Sequence, residues 1–167
     1  VGLARLLPSY PGFLLESEIS AFKKILNNPD RPLAAIVGGA KISSKIGVLH
    51  NLVEKVDVLL LGGGMANTFL AARGLNMGSS LVETGHLEDA TEIGKNALDT
   101  GTKVVLPSDG VMASHVSAGA QTAIRAVEEI PGGWTMLDIG PDTERLFADH
   151  LKSATTVVWN GPMGVFE

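Results

Sequence analysis

The 167-residue sequence contains no cysteine and few aromatic residues. Without cysteine the chain can form no disulfide, thiolate zinc site or catalytic thiol, and a reducing, cytoplasmic compartment is favoured. Aromatic residues make up 5% of the sequence, too few to predict a stacking platform for single-stranded nucleic acid. The histidines are scattered and lack partners at zinc-ligand spacing. We therefore expect this chain to form no metal site of its own.

The sequence also lacks long apolar runs and an excess of positive charge. No segment approaches the roughly 20 apolar residues that a membrane-spanning helix needs, so we expect no membrane segment. Thirteen basic against 18 acidic residues give a net charge of −5, which disfavours binding to nucleic acid. The first residue is not methionine, and the sequence stops in an apolar stretch at residues 165–167. We therefore expect both ends to be internal positions of a longer protein.

Short apolar runs alternate with segments of helical periodicity over most of the chain. The runs are mostly apolar without in/out alternation, which is typical of parallel strands covered on both faces. The predicted strands are 33–37, 56–61, 103–106, 134–139 and 155–159, and the predicted helices that lie among them are 42–53, 65–73, 87–100 and 142–152. This order predicts an α/β fold with a doubly wound parallel sheet, Rossmann-like and three-layered, that is incomplete at its carboxyl end.

A separate amphipathic helix precedes this alternation. Leu15, Ile19, Phe22 and Leu26 form one apolar stripe, and the prolines and turn-forming residues of 27–32 then end the helix. The helix could pack on the sheet domain or lead to a neighbouring domain, and the pattern leaves both open.

Three glycine-containing turns each follow a predicted strand: Gly38-Gly39, Gly62-Gly63-Gly64 and Asn160-Gly161-Pro162. The carboxyl ends of strands in a doubly wound sheet form one rim, and ligands bind there. Glycine lets backbone N–H groups approach a ligand closely, and helices that begin after the turns favour an anion. The alternative interpretation is that the glycines only allow tight turns between strand and helix.

Lys41 and Lys45 stand four residues apart at the expected start of a helix. Cations are disfavoured there by the helix dipole and by mutual repulsion, and a bound polyanion would reverse both effects. Two solvated surface lysines are the alternative. The dinucleotide motif fails at Asn67, where it needs glycine, and no P-loop is present. We interpret Ser108 and Asp109, which follow a strand, as structural.

Five motifs in order closely resemble the phosphoglycerate kinase family. They are Gly38-Gly39-Ala40-Lys41-x-x-x-Lys45, Gly62-Gly63-Gly64-Met65-Ala66-x-Thr68-Phe69-Leu70, Leu106-Pro107-x-Asp109, Leu137-Asp138-Ile139-Gly140-Pro141 and the segment 159–167. The resemblance implies reversible phosphoryl transfer between 1,3-bisphosphoglycerate and ADP, which gives 3-phosphoglycerate and ATP in glycolysis. It also implies that residues 1–30 end an amino-terminal domain and that 31–167 form most of a nucleotide-binding domain.

By the same resemblance Lys41 is the catalytic residue, which stabilises the transferred phosphoryl group. The implied nucleotide-binding residues are Gly39, Ala40, Lys45, Gly63, Gly64, Leu137, Asn160, Gly161, Pro162, Met163, Phe166 and Glu167. Mg²⁺ would enter with ADP or ATP, held by an aspartate outside this chain. The substrate-binding arginines would lie in the absent amino-terminal domain, and the full-length enzyme would be a monomer.

Two other functions are weighed against this enzyme. A non-catalytic module could keep the nucleotide site without the chemistry. A nicotinamide-binding dehydrogenase is disfavoured by Asn67 and by the lack of a confirmed acidic ribose ligand. On its own, the 167-residue chain is expected to have no kinase activity.

Overall fold

The computed structural model describes residues 6–166. The chain divides into two compact units, Val1–Asp30 and Arg31–Glu167. The described part of the first unit contains helix α1 (Phe13–Asn27), which confirms the predicted helix. Its apolar stripe is solvent-exposed, with Leu15, Ile19 and Phe22 between 39% and 50% exposed, while the side chain of Leu26 lies outside the described residues. That this unit ends an amino-terminal domain stays a prediction.

The second unit contains seven strands and four longer helices among its described residues. The strands are β1 (Leu33–Val37), β2 (Val58–Leu61), β3 (Lys103–Val105), β4 (Asp109–Ala113), β5 (Thr122–Ala126), β6 (Thr135–Ile139) and β7 (Thr156–Asn160). The helices are α2 (Ile46–Val53), α3 (Gly63–Ala72), α4 (Leu87–Thr100) and α5 (Pro141–Lys152). Short 3₁₀ turns occupy Thr84–His86 and Val127–Glu129.

Four of the strands form a parallel sheet in the order β3-β2-β1-β7. All five residues of β1 are buried, because this strand has a neighbour on each side and a helical layer on each face. That burial explains its uninterrupted apolar sequence. The edge strand β7 differs, since Val157 and Trp159 are exposed, so the expected cover on both faces holds for β1 and not for β7.

Helices flank the parallel sheet. Ala34 and Ile36 of β1 contact a buried cluster that includes Phe147 of α5, and side-chain alternation turns Ala35 toward the other face. The chain winds from β1 to β3 through α2, α3 and α4, then returns to the far side of β1 through α5. Right-handed crossovers in opposite directions put these two groups of helices on opposite faces. The predicted doubly wound, three-layered α/β fold is confirmed.

A second sheet corrects one expectation. The run 134–139, expected to join the parallel sheet, forms β6, which pairs antiparallel with β4. β4 also pairs antiparallel with β5, giving a three-stranded sheet in the order β5-β4-β6. Strands β4 and β5 had no clear sequence signal, because β4 begins with Asp-Gly and β5 carries an arginine at its fourth position.

Asp109 on β4 caps helix α5, although the two are far apart in the sequence. Its carboxylate accepts hydrogen bonds from the Asp142 N–H at 3.1 Å and from the Thr143 N–H and hydroxyl, both at 2.7 Å. Asp109 is 5% exposed and Thr143 is fully buried. These bonds satisfy orphan N–H groups in the first turn of α5, whose N-cap, Gly140, has no side chain to do so. The structural interpretation of Asp109 is therefore confirmed.

Burial raises the pKa of the Asp109 carboxyl, but hydrogen bonds from Thr143 and Asp142 and the charge of Arg145 lower it, and the net pKa is below its ordinary value. The ionised carboxylate is the form that the helix start stabilises.

Replacing Asp109 by alanine is expected to lower the free energy of unfolding by about 2–3 kcal/mol, because a buried helix cap loses a charged acceptor. Urea denaturation of the 167-residue chain measures the change. The exposed Asp99 near the end of α4 provides the control, since Asp99→Ala should change stability by less than about 0.5 kcal/mol. Equal losses in both variants would contradict the capping role.

The stabilisation by Asp109 is also expected to depend on pH. Because its folded pKa is lowered, the ionised carboxylate stabilises the fold above the ordinary value of 3.8, and this contribution is lost as the pH falls through the folded pKa. The difference in unfolding free energy between the wild type and Asp109→Asn should stay constant from pH 7 to about pH 5 and shrink below it. A difference that grows toward acid pH would refute this assignment.

Candidate functional site

The three glycine turns meet where the winding direction of the sheet reverses, between β1 and β7. The Gly38 N–H donates to the Asn160 carbonyl at 2.9 Å, and the Gly63 N–H donates to the Met163 carbonyl at 2.8 Å. These bonds join the turns after β1, β2 and β7 into one surface. Crevices at such switch points are the usual ligand sites of open α/β sheets, and the expectation of one shared rim is confirmed.

Two glycines allow this close approach. Gly63 has φ +67° and Gly161 has φ +86°, a left-handed conformation that side chains disfavour. A Cβ atom at Gly63 would lie 2.7 Å from the Gly39 carbonyl oxygen, and one at Gly161 would overlap the Gly38 carbonyl oxygen. Neither turn could keep its place with a side chain at these positions.

Lys45 bridges two of the turns. Its Nζ donates to the Gly38 carbonyl at 2.8 Å and to Oδ1 of Asn160 at 2.5 Å. The lysine is half-buried and stands at the N-cap of α2. Its ammonium is therefore fixed at the rim, and because an ammonium has three N–H donors, one remains for a ligand.

Lys41 has a different setting. Helix α2 begins at Ile46, so Lys41 lies in a loop and not in the first helical turn, and the predicted i,i+4 pairing of the lysines on a helix is wrong. The fully buried Ile42 anchors this loop in the core, which leaves the Lys41 side chain exposed. The Lys41 ammonium has no hydrogen bond or ion pair with any residue in the described range 6–166.

Glu83 ties the lysine loop to the connection between α3 and α4. Its carboxylate accepts hydrogen bonds from the Ser43 N–H at 3.0 Å and the Ser43 hydroxyl at 2.6 Å, and its own N–H donates to the Thr68 hydroxyl at 3.1 Å. Burial raises the pKa of Glu83, but the bonds from Ser43 and Ile42 and the charge of His86 outweigh it, so the net pKa is lowered. Glu83 therefore remains an ionised acceptor at neutral pH.

A cavity of about 380 Å³ opens beside these turns. Seven of the residues implied by the resemblance line it: Gly39, Ala40, Gly63, Gly64, Leu137, Pro162 and Phe166. Seven others complete the lining: Asn67, Leu81, Val116, Thr135, Met136, Gly164 and Val165. Apart from Asn67 and Thr135, this lining is apolar or glycine, as in most small-molecule sites.

The remaining implied site residues lie outside the lining. Lys41, Lys45, Asn160 and Gly161 are in the adjoining turns, as described above. The Met163 side chain instead packs against the buried cluster of β1, β2, β3 and α5. Glu167 lies outside the described residues.

Sequence reasoning missed part of the cavity wall because it did not foresee the second sheet. Thr135 reaches the cavity through β6, whose placement depends on antiparallel pairing with β4, whereas Leu137 of the same strand was implied by the resemblance. Asn67 was considered only as a mismatch to a glycine motif. Its position four residues after Gly63, on a helix that begins at the rim, was the available signal.

Within residues 6–166, no three His, Asp or Glu side chains lie close enough together to hold a metal ion. None of the described helices is long and apolar enough to span a bilayer.

The family model of phosphoglycerate kinase matches residues 1–167, the whole chain. The chain belongs to the phosphoglycerate kinase family. Similar relatives are phosphoglycerate kinases from Roseiflexus sp. strain RS-1 and Moorella thermoacetica, each 52% identical over 166 residues. That alignment covers 99% of this chain but 42% of either relative. The chain thus spans less than half the length of these phosphoglycerate kinases.

Solved structures agree with the family assignment. Phosphoglycerate kinase from Coxiella burnetii superposes with a TM-score of 0.89 at 41% identity, over 93% of this chain and 40% of that one. Phosphoglycerate kinase from Pyrococcus horikoshii OT3 gives a TM-score of 0.79 at 28% identity, over 99% of this chain and 42% of that one. The resemblance identified from five sequence motifs is confirmed.

Replacing Glu83 by glutamine is expected to loosen the lysine loop, because Ser43 loses a charged acceptor that a neutral amide replaces poorly. Amide hydrogen exchange of residues 41–45 should become roughly tenfold faster. Glu92→Gln, on the exposed side of α4, is the matched control and should leave exchange in this loop unchanged. If both variants exchange like the wild type, Glu83 does not hold the loop.

Proposed function

We propose that this chain forms the nucleotide site of a phosphoglycerate kinase, which transfers the acyl phosphate of 1,3-bisphosphoglycerate to ADP. The observation that carries this proposal is the junction of an apolar cavity with the rim that holds Lys45 and adjoins the loop of Lys41. Adenosine suits the cavity because the faces of its base are apolar. Phosphates suit the rim because the lysine ammonium groups there are positively charged.

The base and ribose would occupy the cavity. Leu81 and Leu137 are among its apolar walls, and Gly39, Ala40, Gly63 and Gly64 give close backbone approach. Asn160, Gly161, Pro162, Met163 and Phe166 would form the neighbouring nucleotide-contacting segment, and Glu167 would accept hydrogen bonds from the ribose hydroxyls. The Met163 side chain packs into the core, so we assign its contribution to the backbone.

The phosphates would extend toward the lysines. Lys45, fixed by Gly38 and Asn160, would donate its remaining N–H to a phosphate oxygen. Lys41 is unpaired among the described residues and free to place its charge beside the transferred group. Charge placed in advance where the transition state needs it is the main contribution that proteins make to phosphoryl transfer.

In the proposed reaction an oxygen of the ADP β-phosphate forms a bond to the phosphorus of the acyl phosphate. The bond between that phosphorus and the carboxyl oxygen breaks, and the carboxylate of 3-phosphoglycerate leaves with its electron pair. In the reverse direction this carboxyl group is the phosphoryl acceptor. Lys41 would stabilise the charge on the phosphoryl oxygens in both directions.

Mg²⁺ would accompany ADP or ATP, but the described residues at the rim do not form a site for it. The turns present ammonium and backbone groups, and the Glu83 carboxylate is already bonded to Ser43. Mg²⁺ prefers carboxylate and phosphate oxygens, so its protein ligand would be the aspartate implied outside this chain.

We further propose that 1,3-bisphosphoglycerate and 3-phosphoglycerate bind through an amino-terminal domain and that the whole enzyme is a cytoplasmic monomer of glycolysis. Nucleic acids and membranes are not expected partners, given the net charge of −5.

A chimera tests the proposal: the matching segment of the Roseiflexus phosphoglycerate kinase is replaced by this chain, and coupled assays measure ATP formation. We expect turnover in the chimera and a loss of about 10²–10³-fold in kcat on Lys41→Met, with a smaller change in KM for ADP. Lys45→Met should raise KM for ADP, because it removes a ground-state phosphate contact.

The exposed Lys95→Met in α4 is the control and should leave both constants unchanged. A chimera that binds ADP without turnover, where the Roseiflexus enzyme turns over, would favour the non-catalytic module. Unchanged kcat in Lys41→Met would overturn the role of Lys41.

A further inference from the structure

Glu83 anchors the loop that carries Lys41 from outside the loop. Within the loop, the Ser44 hydroxyl donates to the Lys41 carbonyl at 2.9 Å, which is a local bond. The Ser43 N–H and hydroxyl instead donate to the Glu83 carboxylate, at 3.0 Å and 2.6 Å. Among the described residues, the Glu83 side chain thus supplies the hydrogen bonds that join residues 41–44 to a distant part of the chain.

The loop needs a second fixed point besides Ile42. The fully buried Ile42 side chain holds one point of the loop in the core, but the backbone can still rotate about a single point. The bonds between Ser43 and Glu83 hold the next residue as well. Lys41 directly precedes these two fixed residues, so the direction in which its side chain leaves the backbone depends on both.

Glu83 is itself fixed to the rim. Its N–H donates to the Thr68 hydroxyl at 3.1 Å, and Thr68 is fully buried. Thr68 belongs to α3, the helix that begins at Gly63 in the second glycine turn. Hydrogen bonds therefore connect the loop of Lys41, through Ser43, Glu83 and Thr68, to the helix that starts at the proposed phosphate site.

Glu83 holds this loop without neutralising the lysine. Its Oε2 accepts the Ser43 N–H and its Oε1 accepts the Ser43 hydroxyl, and no ion pair joins it to Lys41 within the described part of the chain. An ionised acceptor holds these donors more strongly than a neutral amide would. The positive charge of Lys41 stays available for a phosphoryl group.

We propose that Glu83 is a positioning residue for phosphoryl transfer, which acts through Ser43 to place the Lys41 ammonium beside the transferred group. This inference rests on the proposed function and adds a residue outside the substrate contacts. Because Lys41 would act on the transferred phosphoryl group, its misplacement should slow the chemical step. Binding of ADP should change little, since Lys45 has its own anchors in Gly38 and Asn160.

A double-mutant cycle on kcat in the Roseiflexus chimera tests this role, with Glu83→Gln and Lys41→Met made singly and together. We expect Glu83→Gln to lower kcat about tenfold, as a small misplacement of a catalytic group does, and to change KM for ADP by less than about twofold. In the Lys41→Met background the same substitution should lower kcat by less than about twofold, because the group that Glu83 positions is gone.

Ser43→Ala gives a second readout if Glu83→Gln does not fold. It removes the hydroxyl bond and keeps the N–H bond, so kcat should fall about threefold. Ser43→Thr keeps the hydroxyl and should leave kcat within about twofold of the wild-type chimera. Glu92→Gln, an exposed glutamate on α4, is the matched control and should change neither kcat nor KM.

Two results would overturn the inference and leave the proposed function standing. One is wild-type kcat in both Glu83→Gln and Ser43→Ala. The other is a loss of kcat on Glu83→Gln that is equally large with Lys41 and with Lys41→Met, which indicates general structural damage. A chimera without turnover, or an unchanged kcat in Lys41→Met, overturns the proposed function and the inference together.

Discussion

The parallel pairing of β1 with β7 is the constraint on which the site depends. The two strands pair along their full length, from Leu33 opposite Thr156 to Val37 opposite Asn160, so their following turns must emerge side by side. Lys45 and Asn160 then come within hydrogen-bond distance although 115 residues separate them. No local preference of either segment could produce this contact, and displacing β7 would remove one wall of the cavity.

What the sequence could predict follows from strong local patterns. The helix 87–100 was predicted with the bounds that it has in the structure, because its apolar face is periodic and Gly101 ends it in a left-handed conformation. Strand β1 was equally clear from five consecutive buried apolar residues. The glycine turns were placed at one rim because the order of strands and helices implied a doubly wound sheet.

What the sequence could not predict depends on pairing between distant segments. Asp109 and Gly110 are typical of a turn, yet they begin β4, which is held from both sides by antiparallel neighbours. The start of α2 was misplaced by four residues, since Ile42 is buried by the core and not by helical periodicity. Of the β6 residues on the cavity wall, Leu137 was implied by the resemblance but Thr135 was not, because its position depends on the second sheet.

In the Arg31–Glu167 unit, buried polar side chains differ in their hydrogen-bond pairing between the packed core and the proposed binding site. Away from the cavity, buried polar side chains are paired: Thr102 donates to the Val53 carbonyl at 2.6 Å, and Asp109 and Thr143 satisfy each other and the start of α5. Among the described residues, the one buried side-chain atom without a partner is Oδ1 of Asn67. Oδ1 itself is inaccessible, but its residue lies at the cavity, so the one exception to full pairing adjoins the proposed binding part of the unit.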